Sequence, residues 1–326
     1  MLQQMSGRFQ NWGTDSSRKI ISEESKMKDV KTRKGVGYVL LAAGFFSLST
    51  PLAKPLAGTI SFQLLAGLLY FGSGLGAAIL GLLTPKTIIS SEGRLTREDA
   101  PWMLCCVVFG GILAPLLLII GLQTLPASNT SLLLNFEAVF TILVAWIVFR
   151  EQIDRKFAMG AFAILVGSAL ITWNGFAAIL DIRASVLIVV ACLCWGFENN
   201  FIRKISRRNP FEVAGIRGFL GGAANLLFSL LFPGNWTTSA IFVGLLIGIF
   251  CYGFSNVFWV LGLRYLGSAR AGAYFSSAPF IGAVVAVVLL HEPVTVFLLA
   301  ATFAMGLGVW ILWSQTAYHD QQDSPR

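Results

Sequence analysis

The feature that most limits what this chain can become is a succession of apolar runs, each about 20 residues long. Short stretches holding most of the charge separate them. Marked between charges and turn signals, the runs cover 36–54, 60–83, 100–121, 125–148, 157–176, 184–203, 211–232, 239–263, 267–290 and 294–315. A run of that length crosses the hydrocarbon core as a helix. Helix is the economical choice because lipid offers no partner to an unpaired backbone N–H or C=O. With 56% hydrophobic and 12% charged residues, against about 25% charged in soluble domains, the chain cannot cover a water-facing globule. The expected fold is an all-α integral membrane protein with ten transmembrane helices.

A net charge of +8 could point to nucleic acid, but the distribution of the basic residues argues against that partner. Placed with the N-terminus inside, 21 of the 24 Lys and Arg fall on one side of the membrane. Only Lys54 and Arg183 fall on the other, and Arg217 lies within a run. Basic residues mark the cytoplasmic side, so both termini are expected in the cytoplasm of a cell with this protein in its plasma or inner membrane. Residues 1–35 are polar, mixed in charge and without a signal-peptide pattern. They are expected to form a disordered cytoplasmic tail, and 316–326 a short C-terminal tail on the same side.

No Walker loop, HExxH or nucleophile elbow is present. The five cysteines all lie inside apolar runs without metal-ligand spacing and read as small buried hydrophobes. We therefore expect no catalytic residue, no metal, no cofactor and no enzyme activity.

The chain also repeats itself. GLQTLPASNTSLLLNFEAVFTILVAWIVFREQI, from Gly121, lies without a gap over GLRYLGSARAGAYFSSAPFIGAVVAVVLLHEPV, from Gly262, at an offset of 141. Gly121 meets Gly262, Leu125 meets Leu266 and Glu151 meets Glu292. A weaker match at an offset of 149 pairs LLAAGFFSLSTPLAK, ending at Lys54, with VVACLCWGFENNFIR, ending at Arg203. Each unit holds five spans, 36–176 and 184–315. Five is odd, so the second copy is expected to be inverted in the membrane, a recurrent transporter arrangement with the site at the repeat interface.

The units ending in FREQI and LHEPV, the Trp195-Gly196 pair of the sixth span and the five-plus-five arrangement resemble the EamA family of the drug/metabolite transporter superfamily. The resemblance covers roughly residues 36–315 and implies transport as a class, with amino acids, sugars and other metabolites as the family's range of cargo. One departure stands out. The family often carries a proline near the middle of the fourth and ninth spans; Pro279 supplies the second, but the first position is Ala138, preceded by Glu137.

Ionisable groups at membrane depth are functional candidates by default. Glu137 lies near the middle of the fourth span and is expected to carry a proton or to contact a cationic substrate group. Glu198 and Arg217 sit at nearly the same depth in adjacent spans, so they read as an ion pair or, with Asn199, as part of the substrate path. At the 149 offset Glu198 and Asn199 meet Ser49 and Thr50. At the 141 offset Asn135 meets Ser276, and Asn256 answers Pro115. The candidate pathway residues are thus Glu137, Glu198, Asn199, Arg217, Asn135, Ser49, Asn256 and Ser276. Lys54 is expected to snorkel to the outer surface, and Glu151 and Glu292 to cap helices or hold loops. The pairs Gly72/Gly76, Gly218/Gly222 and Gly244/Gly248 have the spacing that lets helices approach closely.

The function expected from these features is secondary transport by alternating access, as an exporter or permease of small metabolites such as amino acids, with protons as the candidate coupling ion. A translocator of lipid or lipid-linked intermediates, and a receptor or scaffold without flux, are the alternatives. The expected partners are a small-molecule substrate, the lipid bilayer and a second copy in a homodimer.

Overall fold

The computed structural model describes residues 30, 32–87, 92–149, 155–172, 178–231 and 237–322. The expected tail up to residue 29, and Glu151, lie outside them. Among the described residues the elements are helical: α1 Thr32–Ala57, α2 Phe62–Leu83, α3 Arg97–Thr124, α4 Ala127–Val148, α5 Arg155–Thr172, α6 Ala178–Ile205, α7 Pro210–Ser229, α8 Thr238–Ser268, α9 Arg270–Leu290 and α10 Val296–Gln322. The one β-contact described is an isolated bridge between Gly93 and Arg208.

Among the described residues seven stretches are long and apolar enough to cross a membrane: α1 to α4, Ile182–Ile205 of α6, α8 and α9. Shorter apolar stretches lie at 159–170 in α5 and 296–311 in α10. Large side chains such as Leu82, Leu83, Phe303 and Trp310 are exposed. A soluble protein would bury them, whereas lipid solvates them at no cost. The chain is a multi-pass membrane protein.

Local chemistry sets several of the edges. Ser61 caps α2 by accepting from Leu64 N–H at 3.3 Å. Asn209 caps α7 by accepting from Phe211 N–H at 2.9 Å, and Pro210 occupies the first helical position, where no N–H is needed. The junction of α8 and α9 is a kink rather than a loop: Gly267 takes φ 76°, a conformation that suits glycine. Some helices outrun their expected edges, α1 to Ala57, α6 back to Ala178 and α10 to Gln322.

Among the described residues a turn at Leu48 interrupts α1, and four further irregularities fall in α3, α4, α8 and α9. Turns at Leu134–Asn135 and Ser276–Ser277 break α4 and α9. Wider π-helical turns run over Cys106–Leu113 in α3 and Gly248–Phe254 in α8. Laid over each other at the 141 offset, Asn135 falls on Ser276 and Leu113 on Phe254, so both halves deviate from the α-helix at matching places.

Glycines bring the backbones together at most of the expected positions, although Gly244 meets only the side chain of Leu68. Gly72 of α2 packs on Gly248 of α8, Gly76 on Gly253, and Gly218 of α7 on Gly74 of α2. A β-carbon at any of these would meet backbone atoms closer than real side chains allow. On the opposite flank Gly308 of α10 packs on Gly160 of α5. These contacts hold α2, α7 and α8 in one tight layer beside the polar site.

Candidate functional site

Four of the expected ionisable and amide residues meet at the centre of the molecule. Arg217 of α7 donates through Nη2 to Glu198 Oε2 on α6 at 2.9 Å, and its Nε faces the other carboxylate oxygen. The pair is almost wholly buried, at 4% and 1% exposure. It satisfies the requirement that a buried charge find an opposite charge and hydrogen bonds. Arg217 also donates to the hydroxyl of Tyr70 on α2 at 3.1 Å and lies 5.2 Å from the centre of that ring. Trp195, one turn before Glu198, donates to the same hydroxyl at 3.2 Å.

Glu137 belongs to a second chain of contacts. Asn199 donates to Glu137 Oε1 at 2.9 Å and to the hydroxyl of Thr141 at 3.1 Å. The amide oxygen of Asn199 accepts from the indole N–H of Trp259 on α8 at 2.9 Å. Asn199 is therefore the joint between α4, α6 and α8. Among the described residues Glu137 has no ion-pair partner. Asn200, next to Asn199 in sequence, instead serves packing: its amide donates to the carbonyls of Thr141 and Gly196, both at 2.9 Å.

These groups line a small cavity of about 30 Å³, with an adjoining lobe of about 10 Å³ that shares Glu137, Asn199 and Trp259. A water needs roughly 10–15 Å³ of such space, so this conformation has room for about two waters. Asn256 lines the main cavity and donates to Ser73 Oγ at 3.0 Å. Ser276 lines the lobe, with its hydroxyl turned back to the carbonyl of Gly272 at 2.8 Å. The remaining two candidates are not brought there. Ser49 is buried outside the cavity lining, and Asn135 donates to the carbonyl of Leu132 at 2.8 Å, closing the break in α4.

The walls are aromatic to an extent that the polar pattern does not announce. Phe46, Tyr70, Trp195, Tyr252, Trp259 and Phe275 surround the polar groups. Neighbouring rings touch in sequence: Phe46 lies 5.7 Å from Tyr252 and 5.4 Å from Phe275, and Phe275 lies 4.8 Å from Trp259. In an apolar run each of these reads as core or lipid contact. Their convergence on one point depends on helix rotation, which the runs do not specify.

Polar contacts tie both ends of the bundle. At one end Arg264 of α8 donates to the carbonyls of Ser206 and Arg208 at 2.8 and 2.7 Å and pairs with Glu92 at 2.9 Å. Arg208 pairs with Asp99 at 2.9 Å, and Glu212 accepts from Leu95 N–H at 3.1 Å. At the other end Lys54 donates to the carbonyls of Leu122 and Leu125, both at 2.6 Å. This corrects the expectation that Lys54 snorkels outward: carbonyls left unpaired at the end of α3 offer acceptors nearer than water. Glu292 caps a helix as expected. It accepts from Ala127 and Ser128 N–H at 2.7 and 2.9 Å, where Pro126 gives α4 no side-chain cap.

The chain resembles known proteins over most of its length. A transporter of undetermined function from Methanothermobacter thermautotrophicus is 27% identical over 85% of this chain and 86% of its own length. One from Clostridium kluyveri is 24% identical over 81% and 88%. The riboflavin transporter ImpX of Fusobacterium nucleatum is 22% identical over 42% of this chain and 48% of its own. A solved crystal structure superposes with a TM-score of 0.64 at 18% identity, covering 89% of this chain and 98% of that one, a likeness of fold. The model of the EamA-like transporter family matches twice in succession, at residues 33–173 and 182–314. By those two matches the chain belongs to the EamA-like transporter family of membrane proteins.

Proposed function

We propose that the protein is a secondary transporter that exports small metabolites by alternating access, with ten spans arranged as two inverted five-helix repeats, 36–176 and 184–315. The observation that carries this reading is one buried polar cavity walled by residues from both halves, Glu137 and Tyr70 from the first, Glu198, Arg217 and Trp259 from the second. Two successive family matches and the paired irregularities of α3/α8 and α4/α9 support the repeat. The distribution of Lys and Arg supports cytoplasmic termini in a plasma or inner membrane. With the cavity too small for cargo, the conformation reads as one closed to both sides, held by Arg264–Glu92 at the cytoplasmic end and by the Lys54 and Glu292 contacts at the outer end.

Glu137 is the proposed proton carrier. It is the cavity carboxyl without an ion-pair partner among the described residues, and Asn199 can hold it in either protonation state. Purified protein in proteoliposomes with an imposed pH gradient tests the reading. Gradient-driven flux of a metabolite that is lost in Glu137→Gln is expected, whereas flux indifferent to the gradient would remove the coupling role.

One observation favours a second reading. A groove of about 670 Å³ between α1, α9 and α10, lined by Leu40, Tyr274, Phe280, Phe303 and Trp310, faces the lipid. A lipid translocator would use such a lateral face, and scrambling of labelled lipid by the purified protein would identify one.

A further inference from the structure

We infer that the cargo is an organic cation, an amine carried on an aromatic or comparably flat apolar body, seated with its charge at Glu137 and its body among the aromatic walls. The inference rests on the transport reading above and adds the chemical class of the substrate.

Charge balance comes first. The cavity holds two carboxyl groups, Glu137 and Glu198, and one guanidinium, Arg217. Arg217 faces both oxygens of Glu198 through Nη2 and Nε and donates from Nη2 to Tyr70, so its charge is already matched by a carboxylate. An anionic cargo that took the Nη2 and Nε donors would displace Glu198 from a buried pair, which leaves a charge uncompensated in a low-dielectric site. Glu137 has one neutral donor, Asn199, and is partly open to the cavity. The other titratable groups facing it are Glu198 and Cys192 on α6, Arg217 on α7 and Tyr70 on α2. Once Arg217 and Glu198 cancel, a cation completes the site and an anion does not.

The walls give the second, independent argument. Rings attract cations through their faces and flat apolar bodies through contact area, and clustered rings are a recurrent way to hold alkylated ammonium groups. Phe46, Trp259 and Phe275 stand beside Glu137 in the lobe, and Tyr252 and Trp195 continue the wall. The same carboxylate cannot hold a proton and the cation together, so the two ligands exchange at Glu137.

Binding to the full-length protein in detergent tests the class, read by titration calorimetry and by thermal shift. The probes are matched sets on one ring each: tryptamine, tryptophol and indole-3-acetate; phenethylamine, phenethyl alcohol and phenylacetate; and the naphthylmethyl equivalents. At about pH 8 the amine of at least one set is expected to bind more tightly than its neutral and anionic partners. Glu137→Gln should weaken that amine by at least about thirtyfold, and Glu137→Asp, which keeps the charge, should retain the preference for amines. The assignment is overturned if no amine outperforms its partners, or if Glu137→Gln leaves amine affinity unchanged. Flux of the bound probe separates the two readings. Transport of a neutral or anionic member in place of the amine overturns the cation while leaving transport standing. Amine binding that never produces flux keeps the cation and removes transport.

Discussion

Gly110 of α3 leaves the Glu198 carboxylate the space in which a β-carbon would stand. The glycine lies within the π-helical turn Cys106–Leu113, which carries the backbone of α3 up to the ion pair. Gly110→Ala is expected to push Glu198 off Arg217 and to destabilise the protein by about 1–3 kcal/mol through overpacking. Thermal unfolding in detergent checks the stability, and flux in proteoliposomes should fall with it. An alanine variant of wild-type stability and flux would show that the contact is slack.

The Glu198–Arg217 pair predicts an asymmetry between single and double variants. Glu198→Gln leaves a guanidinium buried without its counter-charge, at a cost of about 3–5 kcal/mol. The swapped double variant Glu198→Arg with Arg217→Glu should recover much of that stability. If it also recovers transport, the pair is structural; recovery of fold without flux would place it in the cargo path.

The contacts of Arg264 predict a change in accessibility. Arg264→Ala removes a side chain that joins the α2–α3 connection, the α6–α7 connection and α8. Cys106, fully buried in α3, should then react with a maleimide about fivefold faster or more, because opening of that end becomes more frequent. An unchanged rate would mean that Arg264 does not restrain the opening.

Glu292 bridges the halves by capping α4 from the α9–α10 connection. Glu292→Ala should cost about 1–2 kcal/mol, the loss of a cap and of a favourable charge at a helix N-terminus. The change should appear as a lower Tm, with Glu292→Gln falling between the two.

Much of this was legible in the sequence because the physics acts over long windows. A run such as 60–83 has no soluble solution, and an acid such as Glu137 in such a run has few roles. Glu198 and Arg217 were paired by depth alone, since a short connection makes neighbours of α6 and α7. What escaped depends on rotation and local bending. Trp259 and Phe275 are indistinguishable in sequence from lipid-facing rings until the fold sets both on the cavity wall. Lys54 was misjudged because the acceptors it finds, the carbonyls of Leu122 and Leu125, exist only where α3 ends. Asn135 and Ser49 share a repeat position with cavity residues or their neighbours, yet they serve helix breaks and packing, because a matching position does not fix which face turns inward.

A cavity with room for about two waters has a consequence for anyone measuring affinity. On the proposed transport reading, a cargo would bind only molecules that have already parted their helices, so the apparent dissociation constant would be the intrinsic one divided by the fraction open. With about one molecule in a hundred open, a micromolar site would read as about a hundred micromolar. Weakening a tether far from the cargo, Arg264 for instance, should then tighten binding without adding a single contact to it.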